Sequence, residues 1–412
     1  MIISTSAGQP TTLNHHAPLM LGKSVQFLRK APLRLTDEDQ LGHILIAGNQ
    51  ASGAEHLTAS LLQQQTARGG GWVVMTDVRN SLLVEGLESA ARSAGRSKEF
   101  QALDFSHPDG STYSPVHKGR PADMAEHLLQ LLPDAPDSPG ADFYRNTARH
   151  ALTAILGALQ DTGQPVTALS LSKLLAAPQQ LQALAVSIHE LNPEHDLLNL
   201  VGSFQSRRNE VIRVDRDKVA QLLGGISGRI AQLAQGKLGM VLNATQPTID
   251  LDDVVTNRRM LLVKFMPSCA HSLAQALRRM LASHLESAML TALDTNSVRA
   301  NEMPFIIASD QPGAASALLG NKPRMLARGL RISFLLRAYS LDEVHDCPAD
   351  ASRNLMENTS SKLFFGSDSI GTRGMPDEDY SLLAKQVARH KQGEFHLVRD
   401  SATVHGRLSA PK

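Results

Sequence analysis

Only two cysteines, Cys269 and Cys347, occur in 412 residues. They lie far apart without a CxxC or Cys/His spacing, so neither a disulfide framework nor a zinc site is expected, and a reducing cytoplasm fits the chain. Aromatic residues make up 4% of the sequence, with a single tryptophan, which argues for helices packed by aliphatic side chains rather than an all-β core. No charge sign dominates: 41 Lys and Arg face 40 Asp and Glu, a net charge of +1, so any polyanion site must be local. No apolar run approaches the ~20 residues that span a bilayer, and the opening Met1-Ile-Ile-Ser-Thr has no basic region ahead of an apolar core. The expectation is a soluble cytoplasmic protein, peripheral at the inner membrane only through partners. The histidines show no HExxH spacing and the serines no G-x-S-x-G elbow, so no metal centre and no hydrolase chemistry are expected. His43, His284 and His396 read as packing or hydrogen-bonding groups.

With 42% hydrophobic residues, the chain can bury a sizeable core. Continuous apolar runs alternate with helical periodicity: "HILIAG" (43–48), a helix over 54–68, "WVVMTD" (72–77), a helix over 81–94 and "FQALDF" (100–105). Uninterrupted rather than alternating apolar runs predict parallel strands covered on both faces, joined by right-handed crossovers. Strand signals vanish over about 121–240, where 141–160, 169–191 and 217–235 keep helical spacing. They return at 260–265, 304–309, 331–336, 362–367 and 394–398, with a long helix at about 271–294. The sheet is therefore expected from two separated stretches, 41–164 and 236–412, with an all-helical insertion at 165–235. Residues 1–40 read as an irregular lead-in or a small edge hairpin.

The first strand runs into Gly48-Asn49-Gln50-Ala51-Ser52-Gly53-Ala54-Glu55, the frame of a GxxxxGK[ST] phosphate-binding loop. In that loop backbone N–H groups wrap the phosphates, the Lys neutralises charge and the hydroxyl binds magnesium. Here alanine stands at the lysine position and glutamate at the hydroxyl position. Losing the charged contact removes roughly 1.5–3 kcal/mol of phosphate affinity, and a carboxylate beside the phosphates repels them. A second strand, "PFIIAS" (304–309), ends in Asp310-Gln311, where a P-loop motor has Asp-Glu: the Asp holds the magnesium shell and the Glu activates water. Gln311 cannot accept that proton. An ordinary strand-to-helix turn and a simple Asp-Gln-Pro-Gly turn remain the alternative readings of the two segments.

In this order the motifs resemble the coupling proteins of type IV secretion and conjugation, the TraG/TraD family of P-loop DNA translocases. The likeness extends over most of 35–410. It includes His43 before the first strand, Asp77 in "TDVRNSLL", Ser114-Pro115, and Phe143, Ala148 and Arg149 in "FYRNTARHAL". It continues through "TQPTIDLDDVV" (245–255) and "RGLRISFLLRAYS" (328–340), with Arg337 where the family's Leu-Gln-Ser sensor has Gln. The resemblance implies a RecA-like P-loop fold, mostly parallel and flanked by helices. It also implies a nucleotide site of Gly48, Asn49, Gln50, Ser52, Gly53, Ala54, Glu55, Asp310 and Gln311. Because Ala54, Glu55, Gln311 and Arg337 all fall where the γ-phosphate would lie, it points to a folded pseudo-ATPase with weakened affinity for ATP and magnesium. Implied partners are the secretion machinery or relaxosome proteins, DNA, and a homo- or hetero-oligomeric ring; the family's membrane helices are missing. An active DNA translocase and an unrelated binding module are the alternatives. Arg149 and Arg337 read as salt-bridged structure rather than arginine fingers. "SRRNEVIRVDRDK" (206–218), Arg258-Arg259 and Arg278-Arg279 are candidates for a nucleic-acid channel, but interleaved acids favour a solvated face.

Overall fold

The computed structural model describes residues 16–25, 30–49, 51–77, 81–107, 109–133, 139–208, 211–265, 271–295, 302–310, 321–340, 355–366, 385–399 and 402–409. The first half of the chain supplies β1 (Leu19–Ser24), β2 (Pro32–Leu35), β3 (Ile44–Ala47), β4 (Trp72–Asp77) and β5 (Phe100–Asp104). The second supplies β8 (Met260–Phe265), β9 (Phe305–Ser309), β10 (Ile332–Ala338), β11 (Ser361–Phe365), β12 (Glu394–Arg399) and β13 (Ala402–Arg407). Together they form one sheet in the order β2-β1-β13-β12-β11-β3-β10-β9-β4-β8-β5. From β11 to β5 every neighbouring pair is parallel. At the other edge β12, β13, β1 and β2 are antiparallel. The expected mostly parallel sheet built from two stretches of chain is what folds, with residues 19–35 closing one edge as a hairpin.

The continuous apolar runs are explained by burial on both faces. Within β3, Leu45 and Ala47 join one core, while Ile44 and Ile46 join the other. The second core is capped by α2 (Ala54–Ala67) and α3 (Ser81–Ser93). The first is covered by α4 (Pro121–Leu129), α5 (Pro139–Asp161), α11 (Leu251–Thr256) and α12 (His271–Asp294).

Residues 165–235 hold α6 (Ala168–Ala176), α7 (Pro178–Leu191), α8 (Asp196–Phe204) and α9 (Arg216–Leu233). The periodic stretch 169–191 splits at Pro178 because proline has no N–H to continue the helix of the preceding residues. The expectation of an all-helical insertion needs a correction. Gln205–Arg208 (β6) and Val211–Val214 (β7) pair as an antiparallel hairpin inside it. The β-branched Val211, Ile212 and Val214 favour extended backbone over helix. Two further helices are α10 (Gly236–Leu242) and α13 (Asn321–Gly329), and α1 (Asp37–Leu41) lies ahead of β3.

Candidate functional site

In open parallel sheets, sites form outside the carboxyl ends of the strands where connections diverge. Here β3 lies between β10 and β11, while the next strand in sequence, β4, lies two strands beyond β10's far side. The residues after β3, β9 and β10 therefore share one end of the sheet. Gly48 leaves β3 with its N–H donating to the Ala338 carbonyl at the end of β10 (3.0 Å). A Cβ at Gly48 would lie 2.5 Å from Phe365 Cβ and 2.7 Å from Ser52 Oγ, so only glycine fits. Gly53 caps α2 with φ 102°, a left-handed backbone that glycine adopts without strain.

The loop is closed on itself. Ser52 Oγ donates to the Asn49 carbonyl (2.7 Å) and accepts from the Ala54 N–H (3.4 Å), and the Ser52 N–H donates to the same Asn49 carbonyl (3.2 Å). Ala54 is fully buried at the first position of α2, and Glu55 follows it, 5% exposed. A carboxylate in the first turn is favoured by the helix dipole, the same physics that draws phosphate to such an end.

Glu55 meets Arg337 of β10. Its Oε2 lies 3.7 Å from Arg337 Nη2, and Arg337 is 1% exposed. The guanidinium also stacks over Tyr339, 4.4 Å from the ring centre, and no described residue accepts a hydrogen bond from its N–H groups. Asp310, 5% exposed at the end of β9, accepts from Thr76 Oγ1 of β4 at 2.6 Å. A cavity of about 10 Å3, the size of one water, is lined by Arg337 and Asp310 together with Thr58, Val74 and Leu83. The structure thus brings Gly48, Asn49, Ser52, Gly53, Ala54, Glu55, Asp310 and Arg337 to one end of the sheet. Gln50 and Gln311 lie outside the described residues, as do 78–80 after Asp77.

Similar solved structures share this architecture. The unbound bacterial conjugative coupling protein TrwB superposes with a TM-score of 0.65 at 13% identity, over 92% of this chain and 87% of that one. TrwB in complex with ADP and Mg2+ gives 0.65 at 12%, over 99% and 97%. VirB4 of Thermoanaerobacter pseudethanolicus gives 0.56 at 13%, over 98% and 99%. The chain shares the fold of a conjugative coupling protein. At these identities the likeness concerns the fold alone. No family model and no curated protein matches the sequence.

The other candidates are absorbed by structure. Arg149 pairs with Glu126 and Asn146. Arg258 donates to the Met303 and Leu330 carbonyls (3.0 and 2.6 Å), Arg259 pairs with Asp253 (2.6 Å), and Arg279 donates to the Gln130 and Leu132 carbonyls. Arg278 is 1% exposed over Phe265. His43 Nδ1 accepts from the Phe334 N–H at 3.2 Å. His127 bridges the Pro115 carbonyl and Ser287 Oγ (both 2.9 Å). Because a carbonyl can only accept, Nδ1 carries the proton and Nε2 accepts from the serine. Burial holds His127 below the ordinary imidazole range and His284, stacked on it at 4.4 Å, well below.

Sequence reasoning missed what lies behind the loop. The Gly393 N–H donates to the Ser52 carbonyl (2.8 Å), and the Leu408 N–H donates to the Gly393 carbonyl (2.8 Å). Beside this turn His390, His396 and His405 stack together. His396 and His405 are equally distant in sequence from the β12–β13 connection, a signal that two imidazoles would face each other across a hairpin.

Proposed function

We propose that this protein is a coupling-protein-like component of a type IV secretion or conjugative DNA transfer system that does not turn over ATP. The observation that carries this reading is the buried Glu55–Arg337 pair. In a working loop, lysine and hydroxyl serve phosphate and magnesium; here the corresponding end of α2 holds a methyl group and a carboxylate already matched to an internal cation. The Ser52 hydroxyl occupies the Ala54 amide that would face a phosphate. A magnesium nucleotide does not fit this set of residues, since binding would have to separate a buried ion pair and strand both charges.

Stripped of turnover, the fold serves as a scaffold. In this reading residues 41–164 and 236–412 form the RecA-like unit, and 165–235 is the module that recruits secretion or relaxosome partners. The protein works in the cytoplasm, at the inner membrane through those partners. None of the helices among the described residues is long and apolar enough to cross a membrane.

Phosphate release by the full chain in millimolar MgATP, with and without single-stranded DNA, tests the proposal. No release above the protein-free background is expected. Release proportional to protein concentration would overturn it in favour of an active translocase.

A further inference from the structure

Three imidazoles converge behind the loop. His390 precedes the 391–393 turn, His396 lies on β12, and His405 is its cross-strand partner on β13. Ring centres are 4.7, 5.0 and 4.9 Å apart, with planes inclined by 15°, 2° and 12°. Both nitrogens of His390, Nδ1 of His396 and Nε2 of His405 are buried without a hydrogen-bond partner. Among the described residues no group of His, Cys, Asp or Glu is arranged to hold a metal ion, so coordination does not account for the cluster.

The turn this cluster flanks is the one that reaches the loop. Gly393 donates to the Ser52 carbonyl, and the ideal Cβ position of Gly53 lies 3.2 Å from Gly393 Cα and 3.0 Å from Leu408 Cδ1. Any force that parts His390 from β12 acts on the 391–393 turn and, through it, on Ser52 and Gly53.

We infer that the His390–His396–His405 stack is a proton-operated clasp: neutral rings hold the 391–393 turn against Ser52, and protonation of more than one ring drives them apart and frees the back of the loop. Stacked neutral imidazoles tolerate this spacing, but like charges in a half-buried site repel.

Among the described residues, the surrounding charges do not cancel that repulsion. Of these, Glu394 lies 3.9 Å from His405 Nε2 and is engaged by Arg407 and by the Lys391 N–H. Lys362 on β11 follows on the same sheet face as Phe364, the partner of His396, and donates to the Thr359 carbonyl. Arg389 and Lys391, both exposed, flank His390 in the chain. The balance of these groups is cationic.

Burial first, then the two neighbouring rings, pull His390 down to about 4, and burial followed by His405 pulls His396 below its ordinary range. The sign follows. Rings that resist protonation when folded hold the clasp fully closed above the ordinary imidazole value of about 6.5. The hold weakens as pH falls from there toward about 4.

Hydrogen exchange of the full chain, corrected for the intrinsic pH dependence of exchange, tests this. Between about pH 7.5 and about pH 5, protection of the Gly393 amide should fall roughly tenfold, and amides in the 48–55 loop should follow. Fluorescence of Trp72, the sole tryptophan and fully buried, should stay unchanged, which separates a local opening from global unfolding. His390→Gln should flatten the pH response. His405→Gln, at a partly exposed strand position, should do the same if His390→Gln does not fold. Protection at Gly393 that is flat with pH in the wild type, an unaltered fall in the variants, or a fall that tracks Trp72 would each overturn the clasp. The outcome is independent of whether nucleotide binds.

Discussion

At the scale of the residue, the proposed function rests on an internal charge pair at the start of α2. Glu55 and Arg337 are both buried, and a buried pair is most sensitive to losing one member, because the survivor keeps its desolvation cost. Glu55→Ala is therefore expected to destabilise the protein by about 3–5 kcal/mol. Glu55→Leu combined with Arg337→Met should cost far less than either single change. Urea unfolding of Glu55→Ala, of the singles Glu55→Leu and Arg337→Met and of their double variant checks this, and additive single and double effects would contradict the pairing. Gly53→Ala should cost about 1–3 kcal/mol, because its φ of 102° strains any residue with a Cβ and that Cβ would crowd Gly393 Cα at 3.2 Å. Ala54, Glu55 and Arg337 stood in plain view in the sequence, but not the contact between Glu55 and Arg337. That contact depends on β10 being placed beside β3, a long-range pairing that no local pattern encodes.

At the scale of the element, the strands of the parallel stretch and β12 were legible, while β13 and the β6–β7 hairpin were not. The apolar runs of β3, β4, β8, β9 and β10 announced themselves. In contrast, β13, "ATVHGR", is polar and partly exposed, and the arginines of 205–214 hid the β6–β7 hairpin within a helical region. Polar, partly exposed strands such as these bury too little for an apolar run to mark them. One interaction ties two legible strands together at their ends. Asp104 of β5 accepts from Ser106 and pairs with Lys264 of β8 at 2.9 Å. Burial alone would raise the Asp104 carboxyl, but the Ser106 bonds and Lys264 outweigh it and hold it below the usual carboxylate range. A depressed carboxylate contributes stability above its unfolded value and loses it as pH falls through the folded one. Lys264→Met should therefore reduce stability at neutral pH and flatten the decline between about pH 4 and lower values. Acid titrations followed by Trp72 fluorescence would show this; an acid limb of unchanged slope would contradict it.

At the scale of the whole molecule, the fold class was readable because strand and helix signals alternated in the order a parallel sheet requires. The proposed function rests on a few side chains at one end of the sheet, since architecture alone does not fix activity. The central claim is that the Glu55–Arg337 pair has replaced the nucleotide. Thermal unfolding and titration calorimetry with MgATP test it directly, on the wild type and on a variant carrying Ala54→Lys, Glu55→Ser and Arg337→Gln. The account predicts no binding heat and an unshifted melting temperature for the wild type. For the triple variant it predicts stabilisation of about 2.7 kcal/mol at a hundredfold excess over its Kd. Stabilisation of the unaltered protein by MgATP, with Glu55 and Arg337 both in place, would contradict it.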